Sequence, residues 1–334
     1  MSAKRILTID GGGIKGVLPA AFLAAVEDAT GKRIVDHFDL VAGTSTGGIV
    51  ALGLGLGMSA KEVLQFYLDQ GPHVFHQDVV GRSLRERALS VIGKRWRNAR
   101  QFVMPKYDGD RLREALTKVF RDRLLGESKT RLVIPAYHPR LRQVYVFKTA
   151  HHERFGVDWK ERAVDVALST AAAPTYLPSH RIPNGASLVD GGIWANNPVG
   201  MAVVEAIGVL GWAPKDIYVL SLGCTEDIYA IPESPGLMDI WLSVQDMFLQ
   251  GQSKGSIGTA KLLVGHSDST PKLFRFTHTD AQGTFGLDKV NMIDELRGLG
   301  AALARDALPT ISHLFLHTPN EPFEPYYGPG SPQS

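Results

Sequence analysis

The chain has 334 residues, 44% of them hydrophobic and 21% charged, and its 36 Lys and Arg nearly balance 34 Asp and Glu for a net charge of +2. That composition excludes a disordered chain and gives no general footing for a nucleic-acid polymer. A single cysteine, Cys224, excludes an intramolecular disulfide and any cysteine-built zinc or iron–sulfur cluster. In the run IYVLSLGC it reads as a buried structural thiol rather than a nucleophile.

Glycine is the outlier, with 35 residues, eleven of them between Gly11 and Gly57. The usual share is roughly 7%. In chain order, Arg5 to Ile9 reads as a short strand, Asp10 to Gly16 as a turn and Leu18 to Ala29 as a helix. Asp10 interrupts the apolar start too early for a signal-peptide core. A second strand, Asp39 to Ala42, leads into Gly43-Thr-Ser-Thr-Gly-Gly48 and an apolar helix. That apolar stretch, Ile49 to Met58, is far short of the roughly 20 residues that span a bilayer, so a soluble, cytoplasmic protein is expected.

Ser59 and Glu62 have capping-box spacing for a helix through about Asp69. Asp158 and Glu161 have the same spacing for a helix toward Ala173. Arg131 to Ala136 and Val144 to Thr149 are strand candidates, and Ile217 to Leu222 suits a central, doubly covered strand. From about Gly251 to Phe285 the sequence reads as loops with one or two peripheral strands, and the Pro-rich tail after Pro319 as loosely packed. Strands alternating with helices at this spacing predict one three-layer α/β domain, residues 1–318, followed by the tail, 319–334.

Gly11-x-Gly13-x-x-Gly16 fits a dinucleotide-binding fingerprint in its strand–turn–helix setting, although no convincing acidic residue ends the next strand. A P-loop is excluded, because Val17 stands where Lys is required. The same glycines equally suit an oxyanion turn, in which bare backbone N–H groups and a helix N-terminus converge on developing negative charge. Taken alone, the turn leaves both readings open.

Gly43-Thr-Ser45-Thr-Gly47 is a G-x-S-x-G segment between strand and helix, the setting of a nucleophile elbow. Gly43 and Gly47 keep side chains out of the crowded bend, and the Ser45 hydroxyl is exposed for attack. A serine needs a base. His266, His278, His313 and His317 lie downstream without a motif, whereas Asp190 sits in LVDGGIWANNP, at the end of an apolar strand and before two glycines.

Together DGGGIKG, GTSTG and the later DGG resemble the patatin-like phospholipases, over roughly Arg5 to Pro198, and ALSTAAAPTYLP resembles that family's helix before its dyad aspartate. The resemblance implies a patatin-type α/β/α domain with a central, largely parallel sheet. It implies Ser45 as nucleophile, Asp190 as base and Gly11, Gly12 and Gly13 as the oxyanion turn, with no metal or organic cofactor. Lys15 stands where the family commonly has Arg and is a candidate anion contact without the planar fork. The substrate class implied is membrane phospholipid at the bilayer surface, met from the cytoplasmic side.

In overall character the chain is also similar to the phospholipase effectors of bacterial antiphage signalling, which implies a cyclic di- or trinucleotide activator; an unregulated lipid hydrolase is the alternative. Between Arg82 and Arg100 seven Arg or Lys accompany one acidic residue, and Arg95, Trp96 and Arg97 are candidate contacts for a membrane or an activator, against a plain solvated face. His151 and His152 read as loop or surface histidines.

Overall fold

The computed structural model of the protein describes residues 3–75, 105–227, 237–280 and 283–331. Its strands are β1 (Lys4–Ile9), β2 (Leu40–Gly43), β3 (Arg131–His138), β4 (Gln143–Lys148), β5 (His180–Arg181), β6 (Ser187–Asp190), β7 (Ile217–Asp227) and β8 (Leu273–Asp280). Its α-helices are α1 (Val17–Thr30), α2 (Thr46–Gly55), α3 (Ala60–Val74), α4 (Gly109–Phe120), α5 (Ala163–Ala171), α6 (Gly192–Ala195), α7 (Val199–Gly208), α8 (Leu237–Val264) and α9 (Ile293–Leu314).

One sheet organises the molecule, in the order β5-β6-β3-β2-β1-β7-β8, with β4 paired to β3. The run β3-β2-β1-β7-β8 is parallel, and β4, β5 and β6 add antiparallel pairs at one side. Period-two alternation explains the layers. Leu7 and Ile9 of β1 pack with Phe22, Val63 and Phe315 on one face, and Ile6 packs with Val203 and Ala260 on the other. The expected three-layer α/β/α architecture is therefore present. Strand order reverses beside β1, since β2 lies on one side and β7 on the other. In open parallel sheets a crevice forms at the carboxyl ends of the strands at such a point. Both glycine-rich segments leave the sheet there.

The Ser59–Glu62 capping box forms as expected: the Ser59 hydroxyl accepts the Glu62 N–H at 3.1 Å and Glu62 accepts the Ser59 N–H at 2.7 Å. Asp158 does not cap a helix. It accepts the Tyr145 hydroxyl and the Lys148 N–H, both at 3.2 Å, and α5 begins only at Ala163. The stretch expected as loops from Gly251 instead continues α8, whose Gly- and Ser-rich turns are held by α7 and the link before it: Asn197 Nδ2 meets Ser253 Oγ at 3.0 Å and the Gly200 N–H meets Ser256 Oγ at 2.9 Å.

His151 is buried rather than superficial, with Nε2 3.0 Å from Glu205 Oε1 and Nδ1 2.9 Å from Thr149 Oγ1. The tail is also fastened. Asn320 donates to the Asp36 and Phe38 carbonyls at 2.8 Å each, the Tyr326 N–H reaches the Ala150 carbonyl at 2.7 Å, and Phe323 stacks 5.0 Å from the Arg131 guanidinium. Arg95, Trp96 and Arg97 lie outside the described residues. No helix among the described residues is long and apolar enough to cross a membrane.

Candidate active site

Ser45 connects β2 to α2 with φ 55° and ψ −122°, a left-handed region that L side chains rarely adopt. Such strain is worth about 1–3 kcal/mol and persists only when the surroundings over-determine it. Here they do. The Ser45 N–H donates to Thr170 Oγ1 at 3.0 Å, and Thr170 in turn donates to the Pro135 carbonyl. Thr44 Oγ1 donates to the Ala195 carbonyl at 2.6 Å, and the buried Tyr67 hydroxyl donates to the Thr46 carbonyl at 2.8 Å. A Cβ on Gly43 would lie 2.1 Å from the Gly47 carbonyl oxygen, and one on Gly47 would lie 2.2 Å from that of Ile9. No other residue fits this bend.

Asp190 ends β6, where it pairs opposite Ala136 of β3, and its carboxylate lies beside the Ser45 side chain on the same cavity wall. The Gly192 N–H donates to Asp190 Oδ1 at 2.7 Å. Burial raises the Asp190 pKa to about 6, and the neighbouring Ser45 hydroxyl and the bond from Gly192 oppose that rise. The carboxylate is thus a stronger base than an exposed one while still ionised at neutral pH.

The glycine turn at the end of β1 faces this pair. The Gly11 N–H is committed to the Asn196 carbonyl at 3.0 Å, and the Ile14 N–H to the Leu287 carbonyl at 2.8 Å. Within the turn of Gly11, Gly12 and Gly13, Gly11 therefore fixes the backbone, its own N–H being committed inside the protein. The N–H groups of Gly12 and Gly13 have no partner among the described residues, and both glycines line the cavity. Gly13 has φ 57°, and a Cβ there would lie 2.3 Å from the Leu287 oxygen. The loop around Leu287 thus covers the turn where a pyrophosphate would lie in a dinucleotide site.

Lys15 donates to the Thr225 carbonyl at 3.2 Å and is not part of the cavity wall. Cys224 packs behind Gly12, and burial pushes its thiol up to about 12, consistent with an inert structural role. Sequence reasoning missed Arg275 of β8. Its guanidinium donates to both oxygens of Asp10, at 2.7 and 3.4 Å, and to Glu226 at 2.7 Å and Ser221 Oγ at 3.0 Å. The aspartate of DGGG is therefore a buried anchor for the turn. No motif surrounds Arg275, so only the packing of β7 against β8 reveals it. Thr170 and Asn196, by contrast, lie within stretches that the sequence had already singled out.

Ser45, Asp190, Gly12 and Gly13 meet at one wall of a cavity of about 490 Å³. The rest is mainly apolar, with Ile49, Phe66, Val74, Leu112, Leu177 and Phe248 among its side chains. Among the described residues, Asp190 is the only carboxylate on the wall and no histidine lies there. His317 sits beside Arg5 at 3.2 Å, and His266 accepts the Lys272 and Leu273 N–H groups. Neither is available to Ser45.

A family model described as Patatin-like phospholipase matches residues 7–203. A Pseudomonas aeruginosa protein named cGAMP-activated phospholipase is 37% identical over 221 residues, 65% of this chain and 61% of the relative. Patatin-like protein 2 of Arabidopsis thaliana is 33% identical over 64% of this chain and 55% of its own length. A cGAMP-activated phospholipase of Vibrio cholerae is 30% identical over 71% of this chain and 70% of its own. The chain thus spans between half and two thirds of the length of the first two of these relatives.

Proposed function

The chain belongs to the patatin-like phospholipase family, and from that premise we propose that it is a serine acyl hydrolase that releases fatty acids from membrane phospholipids through a Ser45–Asp190 dyad. One observation carries the reading: a conformationally forced serine and a buried carboxylate stand side by side on the wall of an apolar cavity. Each methylene that such a cavity removes from water contributes about 0.8 kcal/mol, which favours long acyl chains over short ones.

In the first stage Asp190 takes the Ser45 proton as Oγ attacks the ester carbonyl carbon. The Gly12 and Gly13 N–H groups hold the resulting oxyanion. The tetrahedral intermediate collapses, Asp190 returns the proton to the departing lysolipid oxygen, and the acyl group stays on Ser45. In the second stage Asp190 takes a proton from water, the hydroxide attacks the acyl-enzyme, and the fatty acid leaves as Ser45 regains its proton. Release of labelled fatty acid from acyl-labelled phospholipid tests the reading. Wild-type activity that survives Ser45→Ala would end it.

A second proposal concerns control. The relatives named cGAMP-activated phospholipase, one of them 37% identical, favour activation of this chain by a cyclic dinucleotide, in a cytoplasmic enzyme that acts peripherally at the inner membrane face during antiphage defence. Assaying hydrolysis with and without a panel of cyclic di- and trinucleotides checks this. Equal rates across the panel would leave an unregulated hydrolase.

A further inference from the structure

Helix α8 carries a stripe that no described residue covers. Phe248, Gly251, Gly255, Gly258 and Leu262 follow one another at steps of three and four, so they share one face. Phe248 is 73% exposed and Leu262 84% exposed, with Met247 beside the first and Leu263 beside the second also open to solvent. Side chains built on the three glycines would meet nothing within 4 Å among the described residues, which leave the face open along nearly four turns. From Met247 to Val264 the sequence contains Lys254 and Lys261 and no acidic residue. Both lysines are exposed, and they flank the stripe on one side, Lys254 also reaching Glu226 at 3.1 Å.

The stripe begins at the mouth of the cavity. Phe248 and Leu249 belong to the cavity wall, as does Ile193 of α6, which is 51% exposed across the opening. A protein partner seated on the whole stripe would close the entrance through which substrate must pass. A bilayer seated there would present acyl chains to it. Apolar side chains beside cations, on a stretch of helix with no acidic residue of its own, are also the pattern of an interfacial helix that meets anionic lipid.

We infer that the exposed face of α8 is the surface on which the protein docks to an anionic lipid bilayer, with Phe248 and Ile193 at the point where an acyl chain leaves the bilayer for the cavity. The inference rests on the acyl-hydrolase reading for its choice of occupant. Its contacts are of two kinds, apolar insertion by Met247, Phe248 and Leu262 and attraction of headgroup phosphates by Lys254 and Lys261.

The test uses the full chain, vesicles of phosphatidylcholine with or without phosphatidylglycerol, and a soluble short-chain ester. Met247→Ser/Leu262→Ser is expected to weaken sedimentation with both kinds of vesicle by about tenfold or more, from lost apolar burial. Lys261→Gln is expected to weaken binding about fivefold on the phosphatidylglycerol vesicles alone, an effect that disappears at high salt. Neither variant should alter thermal melting or short-chain ester hydrolysis. Unchanged vesicle binding in both variants, or no binding by the wild type, overturns the docking face. Altered oligomeric state with unaltered vesicle binding also overturns it and makes the stripe an interface between copies. Loss of vesicle binding in variants of a wild type inert toward every ester would instead leave the docking surface standing and remove the hydrolase reading.

Discussion

At the carboxyl ends of β1 and β2 the chain holds a serine at positive φ, a buried carboxylate with a raised pKa and two backbone N–H groups without partners among the described residues. At the amino end of β1 and beside the starts of β2 and β3, polar and cationic groups are tied down instead. Arg5 donates to the Thr318 carbonyl, Lys4 meets Asp39 at 3.4 Å, and Arg131 lies 5.8 Å from the Trp212 ring and 5.0 Å from that of Phe323. One sheet thus divides its labour along the strand axis. Backbone strain and open N–H groups collect where substrate would bind, and contacts to the tail collect at the other end, although Arg5 and Arg131 there each bury a guanidinium Nε without a partner among the described residues. Substitutions at the first end should change rate far more than stability, and those at the second should do the reverse.

The largest expected effect is at the dyad. Ser45→Ala and Asp190→Asn should each lower phospholipid hydrolysis by about a thousandfold or more, as removal of one member of a catalytic unit generally does, with no fall in melting temperature. Near-normal activity in Asp190→Asn would assign the base elsewhere. In the wild type, kcat/KM for a soluble ester should fall on the acid side with an apparent pKa of about 6, because the base must be ionised.

Next comes the anchor of the glycine turn. Arg275→Met leaves Asp10 buried without its partner, a change that typically destabilises by about 3–5 kcal/mol. Both melting and hydrolysis should suffer, so this position tests where the division between the two ends breaks down. Hydrolysis unchanged in a folded Arg275→Met protein would show that the turn keeps its shape without the anchor.

The raised pKa of Asp190 has a stability consequence of its own. The folded protein holds this proton up to about pH 6, whereas the unfolded chain releases it near 3.8. Stability from this group therefore declines as pH rises through that window, and the penalty is complete above it. Asp190→Asn should be more stable than the wild type by up to about 3 kcal/mol above pH 7, with the gap closing toward pH 4, as denaturant melts at several pH values would measure. The smallest effect belongs to the far end: Phe323→Ala should destabilise by about 1 kcal/mol and leave kcat unchanged. A lower kcat there would couple the two ends.

What could be read from the sequence follows the range over which each feature is determined. The elbow is a local matter, because Gly43 and Gly47 clash with atoms only a few residues away or in the adjoining β1, so its motif is compact. The Ser59 cap is local too. Helix α8 was illegible because Gly251, Ser253, Gly255, Ser256 and Gly258 carry low helix propensity, and its bonds to Asn197 and Gly200 of a distant segment override that preference. His151 gave no sign of burial, since its partner Glu205 lies 54 positions away. The separate duties of Gly11, Gly12 and Gly13 depend on Asn196 and Leu287, which no inspection of DGGG reveals.

The first glycine turn is held by Thr225, Arg275 and Leu287, with Cys224 packed behind it, and all four come after residue 203, where the recognised family segment ends. The short motifs are accordingly not a portable cassette. A fragment cut at that boundary would contain every residue assigned a chemical step and none of these supports. Grafting DGGG, GTSTG and DGG onto another parallel sheet would transplant the reagents without the scaffold that aims them, and efforts to shorten or shuffle this protein need to carry β7, β8 and the Leu287 loop along with the serine.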